Sequence, residues 1–409
     1  MSTETTLAPP PVLQTGAEAL AAARAFASEI AAGAAARDRD RTPPLAELEA
    51  LARTGLLGIS VPRSHGGPEL SRATIVEVLR EIARGDSNVA QLVLSHFVLI
   101  EALRTAPFAE PAATVFGAIL ERGAQLGNAT AERGTKHMYD RRTRATREEG
   151  PDGAWRLDGT KYYATGALGA TYIGVTANVA PDHPVLAFVA PDGEGVRLSL
   201  EDWSSFGQRT TFSGTVQLDG APVPPELVLD GGPVPAELPP SIFGAYDQAL
   251  HAAIDVGIAR AALEDGAEFV RTRTRPWFEA PSERASEEPH VLRRFGELSA
   301  RLHAIEALLE RAARTIDAAL AAPELTDEST AAASLAVAET KALTQELAVE
   351  IASGIFELAG TSATDGAHGL DRHWRNVRTH SLHDPARWKY HHVGNHLLNG
   401  VLPPRNQLL

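Results

Sequence analysis

The stretch Trp155-Arg-Leu-Asp-Gly-Thr-Lys-Tyr-Tyr163 decides the fold. Trp155 and Leu157 alternate with Arg156 and Asp158, a period of two, before Gly159 punctuates the run. That pattern predicts a half-buried strand with a turn. Three further segments read the same way: Gly174-Val-Thr-Ala-Asn-Val179, Val185-Leu-Ala-Phe-Val189 and Gly214-Thr-Val-Gln-Leu-Asp219. Gly, Pro and Asp separate them, so residues 123–240 are expected to form a small antiparallel β domain. Its Pro-rich end, residues 221–240, reads as a linker.

Outward from this insert the period changes to 3.6. On the N-terminal side, residues 17–122 read as a helical domain, with Ala and Leu dominating 17–36 and helical spacing continuing at 45–54. Residues 89–103 are apolar on nearly every face apart from Gln91, Ser95, His96 and Glu101, as in a helix buried all round. On the C-terminal side, long helical patterns cover 247–274, 289–321 and 329–359, and a last one runs through a basic segment to residue 399. Residues 241–409 are therefore expected to form a four-helix bundle. The class is mainly α with a β domain. Residues 1–16 read as a disordered lead.

Composition narrows the function. A net charge of −14 argues against nucleic acid or an anionic membrane as a general partner. There are no cysteines, which removes disulfides and thiolate chemistry and fits a cytoplasmic chain. The lead has neither the basic start nor the apolar core of a signal peptide. No apolar run reads as long enough to cross a bilayer, which takes about 20 residues.

The densest chemistry lies in Asp371-Arg-His-Trp-Arg-Asn-Val-Arg-Thr-His-Ser-Leu-His-Asp-Pro-Ala-Arg-Trp-Lys-Tyr390. Such a concentration of cations and aromatics suits an anionic or aromatic ligand. His380, His383, His391, His392 and His396 also raise a metal site, but Arg375, Arg378, Arg387 and Lys389 interleave and would repel a divalent ion. No metal is expected. No Gly-x-Gly-x-x-Gly stands between a strand and a helix, so no dinucleotide fingerprint is visible.

The helical–β–helical order resembles the acyl-CoA dehydrogenase fold, and local segments agree. Gly127-Asn-Ala-Thr-Ala-Glu132 is similar to that family's first flavin-contacting strand, and Gly159-Thr-Lys-Tyr-Tyr-Ala-Thr-Gly166 to its Asn-Gly-x-Lys-x-Trp-Ile-Thr segment. Asp202-Trp-Ser-Ser-Phe-Gly-Gln-Arg209, Ser213-Gly214, Arg275-Pro-Trp-Phe278 and Arg378-Thr-His-Ser-Leu-His-Asp-Pro385 resemble one branch. That branch is the group D flavin-dependent monooxygenases related to dibenzothiophene, sulfone and sulfinate monooxygenases. Dehydrogenases often place a carboxylate base in a Tyr-Glu-Gly-Thr turn; by register Asp384, one methylene shorter and followed by Pro385, stands there.

The resemblance implies roles. His383 would lie beside the flavin and donate a hydrogen bond to a peroxide, its charge tunable near neutral pH. His96 would lie near the substrate pocket, although a lone histidine in a buried helix is ordinarily a satisfied core residue. Asn128, Thr130 and Thr165 would meet the flavin's pyrimidine edge or N5, with Ser213 also on the cofactor side; turn-flanking polarity is the plainer reading. Ala164 departs from the Ser or Cys of relatives. Trp203 would stack on the isoalloxazine or simply fill core. Arg275, between a phosphate ligand and a solvated turn, would hold the phosphate of flavin mononucleotide, its own or the neighbouring subunit's. Ser362 replaces an arginine of some relatives.

The function implied is a two-component monooxygenase. Reduced FMN comes from a separate reductase, with FAD an open option, and meets O2 to form a C4a-hydroperoxide. That species oxygenates a small organosulfur compound at sulfur or an amine at nitrogen. A homotetramer is expected. The alternatives are an acyl-CoA dehydrogenase or oxidase with bound FAD, and a ligand-binding scaffold.

Overall fold

The computed structural model describes residues 8–105, 109–137, 139–148 and 153–409. The first seven residues of the expected disordered lead lie outside them. Just ahead of the first helix, Leu13 packs against the core. Five helices follow: α1 (Gly16–Asp40), α2 (Leu45–Arg53), α3 (Arg72–Gly85), α4 (Ser87–Thr105) and α5 (Ala109–Arg122). Thr15 and Glu18 cap α1 reciprocally, satisfying amides at the exposed helix end. By length and composition α1 is apolar enough to cross a membrane, which corrects the expectation from the sequence. Here it lays Ala19, Ala23, Phe26 and Ile30 into the core beside α3.

The sheet contains β1 (Leu126–Ala129), β2 (Arg144–Arg147), β3 (Trp155–Lys161), β4 (Tyr172–Ala180), β5 (His183–Val189), β6 (Val196–Ser199), β7 (Thr215–Val223) and β8 (Val228–Asp230). It is mixed rather than purely antiparallel. β1 and β2 occupy successive stretches of one edge of β4 and run parallel to it, while β5 pairs antiparallel on the other. The chain can do this because β1 enters from α5 and not from a hairpin. Trp155, Leu157, Val175, Val216 and Val223 form a core separate from the helical one.

The bundle comprises α6 (Phe243–Thr272), α7 (Pro289–Ala321), α8 (Asp327–Ala359), α9 (Asp371–His380) and α10 (Ala386–Asn399). α6 is buried on nearly all sides because α7 and α8 pack on one flank and α3 and α4 on the other. The basic segment, expected as one continuous helix, is broken at residues 381–385. Pro385 has no N–H to give and disfavours helical geometry at Asp384, so the chain turns out of the helix there. The break exposes His383.

Candidate active site

The β side of the site is built on close backbone approach. A Cβ at Gly127 would lie 2.5 Å from the backbone of Gly166, so only glycine lets β1 lie against the turn after β3. Asn128 N–H then donates to the Thr165 carbonyl at 3.0 Å. Thr165 Oγ1 lies 2.9 Å from Ser213 Oγ, which donates to Thr211 Oγ1 at 2.9 Å; Thr211 in turn donates to the Gln208 carbonyl. Thr165, Ser213 and Thr211 thus form a chain of hydroxyls beside Asn128. Ala164, by contrast, is fully buried and adds no polar group. The Thr130 carbonyl accepts from Lys161 Nζ at 3.3 Å, and Lys161 pairs with Glu132 at 2.7 Å, both buried. Burial pushes the Lys161 ammonium down to about 8 even with Glu132 beside it.

Trp203 is tied into the same loop. Its Nε1–H donates to the Gln208 carbonyl at 2.8 Å, and its ring meets Tyr163 edge-on at 5.9 Å. Three of the five described non-glycine residues with positive φ are Tyr163, Gln208 and Phe212. Left-handed backbone at such residues costs about 1–3 kcal/mol each and persists where surroundings over-determine it. Gln208 Nε2, Thr210 Oγ1 and, on the facing helix, Thr379 Oγ1 are buried with no partner among the described residues. Unpaired buried donors of this kind call for a polar ligand or water.

The loop is clamped to α9. A Cβ on Gly207 would fall 1.8 Å from the Arg375 carbonyl, and Gln208 N–H donates to Asn376 Oδ1 at 2.7 Å. Asn376 Nδ2 reaches on to Ser87 Oγ of α4 at 3.1 Å. One asparagine therefore fixes the loop, the bundle and the N-terminal helices together.

His383 follows α9 in the break, its side chain 38% exposed. Its Nδ1 is 3.4 Å from Asp384 Oδ1, and its ring stacks on His251 with centroids 3.9 Å apart. Lys389 Nζ lies 2.8 Å from the other Asp384 oxygen, an ion pair without an aligned hydrogen bond. Burial alone would push the Asp384 carboxyl up; the His383 hydrogen bond and the Lys341 and Lys389 ammoniums hold it below the usual carboxylate range. Behind His251 lies His380 (3.0 Å), then Asp255 (2.6 Å), then Lys341 (3.1 Å), all buried.

The structure brings Asn128, Thr165, Ser213 and Trp203 together, with Thr130 at the end of the same strand. Loop 203–214 packs on Arg375 and Asn376 of α9, and His383 follows the end of that helix, in contact with Asp384 and His251. His96 is held by backbone contacts. It is fully buried; Nε2 faces the Leu57 carbonyl at 2.8 Å, and Nδ1 accepts from Leu126 N–H at 3.2 Å. Both ring nitrogens are spent on backbone, so it latches β1 to α4. Burial pulls it down to about 4.

Arg275 is apart as well. It lies on an exposed turn beyond the C-terminal end of α6, with no ion pair among the described residues. His251 sits near the start of α6, and the residues from it to the helix end at Thr272, at about 1.5 Å rise each, put the turn that carries Arg275 roughly 30 Å from the His383 stack. Sequence reasoning missed Asp247, His251, Asp255 and Lys341. The signal was present: the first three recur every fourth residue in a helix otherwise rich in Ala, Ile and Val, a polar stripe where apolar residues suffice.

Comparison with known proteins gives the family. Residues 15–106 match the acyl-CoA dehydrogenase N-terminal domain and residues 249–388 the acyl-CoA dehydrogenase C-terminal domain. Dibenzothiophene monooxygenase of Rhodococcus erythropolis is 34% identical over 394 residues, 94% of each chain. The probable FMNH2-dependent monooxygenase SfnC of Pseudomonas putida is 32% identical, covering 94% of this chain and 96% of that protein. The crystal structure of FMN-bound TdsC from a Paenibacillus species superposes with a TM-score of 0.87 at 31% identity, covering 96% of this chain and all of that one. The chain belongs to the flavin-dependent monooxygenases built on the acyl-CoA dehydrogenase fold, the family of dibenzothiophene monooxygenase.

Proposed function

We propose that this enzyme takes reduced FMN from a separate reductase and, with O2, oxygenates a small organosulfur compound at sulfur. The observation that carries the reading is the state of Asp384. The carboxylate standing where a dehydrogenase has its base is 3% exposed, paired with Lys389 and turned toward His383. A base committed in this way does not remove a substrate α-proton, and the dehydrogenase alternative loses its key group. Sulfur is favoured over nitrogen because the relative that is 34% identical over 94% of the chain is a dibenzothiophene monooxygenase, and a nucleophilic sulfide needs no base of its own.

The residues fit a flavin. Asn128, Thr165 and Ser213 offer polar groups for the pyrimidine edge, the orphaned Gln208 Nε2 and Thr210 Oγ1 offer further donors, and Trp203 closes one side. When bound, reduced flavin supplies the two electrons that let one atom of O2 go to substrate and the other leave as water. The protein's task is orientation and proton control. With Nδ1–H donated to Asp384, His383 leaves Nε2 to hold or give a proton to a group that the bound cofactor would bring to it. The hydroxyl chain from Thr165 to Gln208 orders hydrogens along the β side without a charge.

Arg275 enters by assembly. In one chain it is too far from His383 for both to touch one FMN, so we assign it to the phosphate of a neighbouring copy's cofactor, in a homotetramer. Exposed Trp277 and Phe278 on the same turn, 61% and 80% exposed, and Leu397 and Leu398 on α10 give the apolar surface such contacts bury. Supply of reduced flavin by a reductase fits a cytoplasmic setting. The test is incubation with reduced FMN, dibenzothiophene or a dialkyl sulfide, and ¹⁸O₂. One ¹⁸O per sulfoxide supports the reading; acyl-CoA reduction of bound flavin with no sulfoxide overturns it.

A further inference from the structure

We infer that His251 is a positioning residue for His383: a neutral imidazole platform, its tautomer set by the Asp255–His380 pair, on which the His383 ring lies with Nδ1 toward Asp384 and Nε2 free. The inference rests on the proposed role of His383.

The hydrogen-bond order is forced by one end. Asp255 Oδ1, 2.6 Å from His380 Nδ1, is a carboxylate held ionised by Lys341 at 3.1 Å on its other oxygen. His380 Nδ1 therefore carries the proton; burial favours the uncharged ring, and a neutral His380 then has a bare Nε2. His251 Nδ1, 3.0 Å away, must then be the donor. Its Nε2 is left without a hydrogen, facing Asp247 Oδ1 at 3.8 Å, beyond hydrogen-bond reach. The ring that results is uncharged and fixed about its own axis.

A neutral ring matters because of what stacks on it. The His251 and His383 centroids are 3.9 Å apart with planes 27° from parallel. A cation at His251 would repel a proton on His383 at that separation. The surroundings keep it uncharged: burial acts first, followed by His383, His380, Lys341 and Lys389, and together they hold His251 well below the usual imidazole range. The groups facing the pair are Asp247 and Asp255 from α6, Lys341 from α8, His380 from α9, Asp384 in the break and Lys389 from α10. Gln407 reaches Asp247 from the C-terminal segment at 3.4 Å. Packing does not need this network, since burying so many ionisable groups is costly against an apolar core. Keeping one exposed imidazole oriented is a use that matches its geometry.

The experiment reads ring tautomers directly. Protein free of flavin and labelled with ¹⁵N-histidine is followed by long-range ¹H–¹⁵N correlation from pH 5 to 8.5, as wild type, His251→Phe and His251→Ala. Wild type should show His251 as an invariant neutral Nδ1–H ring, and His383 with its Nδ1 resonance in hydrogen-bonded contact with Asp384. His251→Ala should mix the His383 tautomers; His251→Phe, which keeps a flat ring, should preserve the His383 tautomer while changing the His380 Nε2 shift. His251 titrating within this range, or His383 unchanged in His251→Ala, overturns the inference. Should His251→Ala not fold, an unchanged His380 signal in His251→Phe overturns it as well. With reduced FMN and O2, His251→Ala should divert turnover to hydrogen peroxide by about tenfold or more, as a misplaced catalytic group does. If wild type oxygenates nothing, the functional reading fails, and the tautomer data still decide the platform.

Discussion

Two histidines of one sequence show how far residue type alone carries. His96 and His383 were both chemically eligible, and only contacts separate them. His96 spends both nitrogens on the backbone of Leu57 and Leu126, whereas His383 leaves Nε2 open. Nothing in the local sequence around His96 reveals which carbonyl a buried helix will meet. The consequence is measurable. The unfolded chain protonates His96 below its ordinary 6.5, but the native ring resists until about 4. The unfolded state thus binds more protons in that window, so this component of stability is whole above pH 6.5 and is lost as pH falls to 4. The loss is up to about 3 kcal/mol by linkage. Denaturant unfolding from pH 7.5 to 4 should show a flatter slope for His96→Gln than for wild type. His96→Leu, which orphans Leu126 N–H, should lose about 1–3 kcal/mol at pH 7.5. Equal pH slopes in wild type and His96→Gln would contradict this role.

At the scale of elements, the site exists because two of them depart from regularity. The helix predicted through the basic segment ends at Ser381, and Pro385 was the legible cause; Leu382-His383-Asp384 becomes the joint between α9 and α10. The loop 203–214 has no such signature, since its strained Gln208 and Phe212 are held by tertiary contacts that appear only on folding. Gly207 is the point where loop and helix touch. Gly207→Ala would place a methyl against the Arg375 carbonyl and push the loop from α9. The expected cost is about 1–3 kcal/mol or more, as for other overpacked sites. FMN affinity should fall by about tenfold or more, near 1.4 kcal/mol, while far-ultraviolet circular dichroism stays helical. Flavin titration by fluorescence quenching checks this; unchanged affinity would remove the loop from the cofactor site.

Across the whole molecule, periodicity carried most of the fold. The change from 3.6 to 2 and back located the sheet between helical blocks, and α7 ran as read, Pro289–Ala321. The parallel pairing of β1 and β2 on β4 was not legible, because pairing partners are set by chain path and not by the strands' own residues. The polar stripe Asp247, His251, Asp255 was legible on α6, but its pairing with His380 of α9 and Lys341 of α8 was not, because those contacts form only on folding. The same long-range geometry makes a claim about assembly. If Arg275 serves a neighbour's FMN, Arg275→Ala and His383→Ala each inactivate separate halves of a shared site. Mixing the two inactive proteins under conditions of subunit exchange should restore part of the activity, up to about a quarter of sites in a randomly mixed shared-site oligomer. No recovery, with exchange verified by mass, would place Arg275 outside the site. The central claim is that His383 and the hydroxyl-lined β wall let bound reduced FMN pass oxygen to substrate. Its most direct test is anaerobic loading with reduced FMN followed by stopped-flow mixing with O2. The expected result is a transient absorbance distinct from the reduced and oxidised spectra, persisting for seconds and shortened by about tenfold or more in His383→Ala, in keeping with loss of a proton-handling group. Immediate return to oxidised flavin in wild type, or a transient that His383→Ala leaves unchanged, would contradict it.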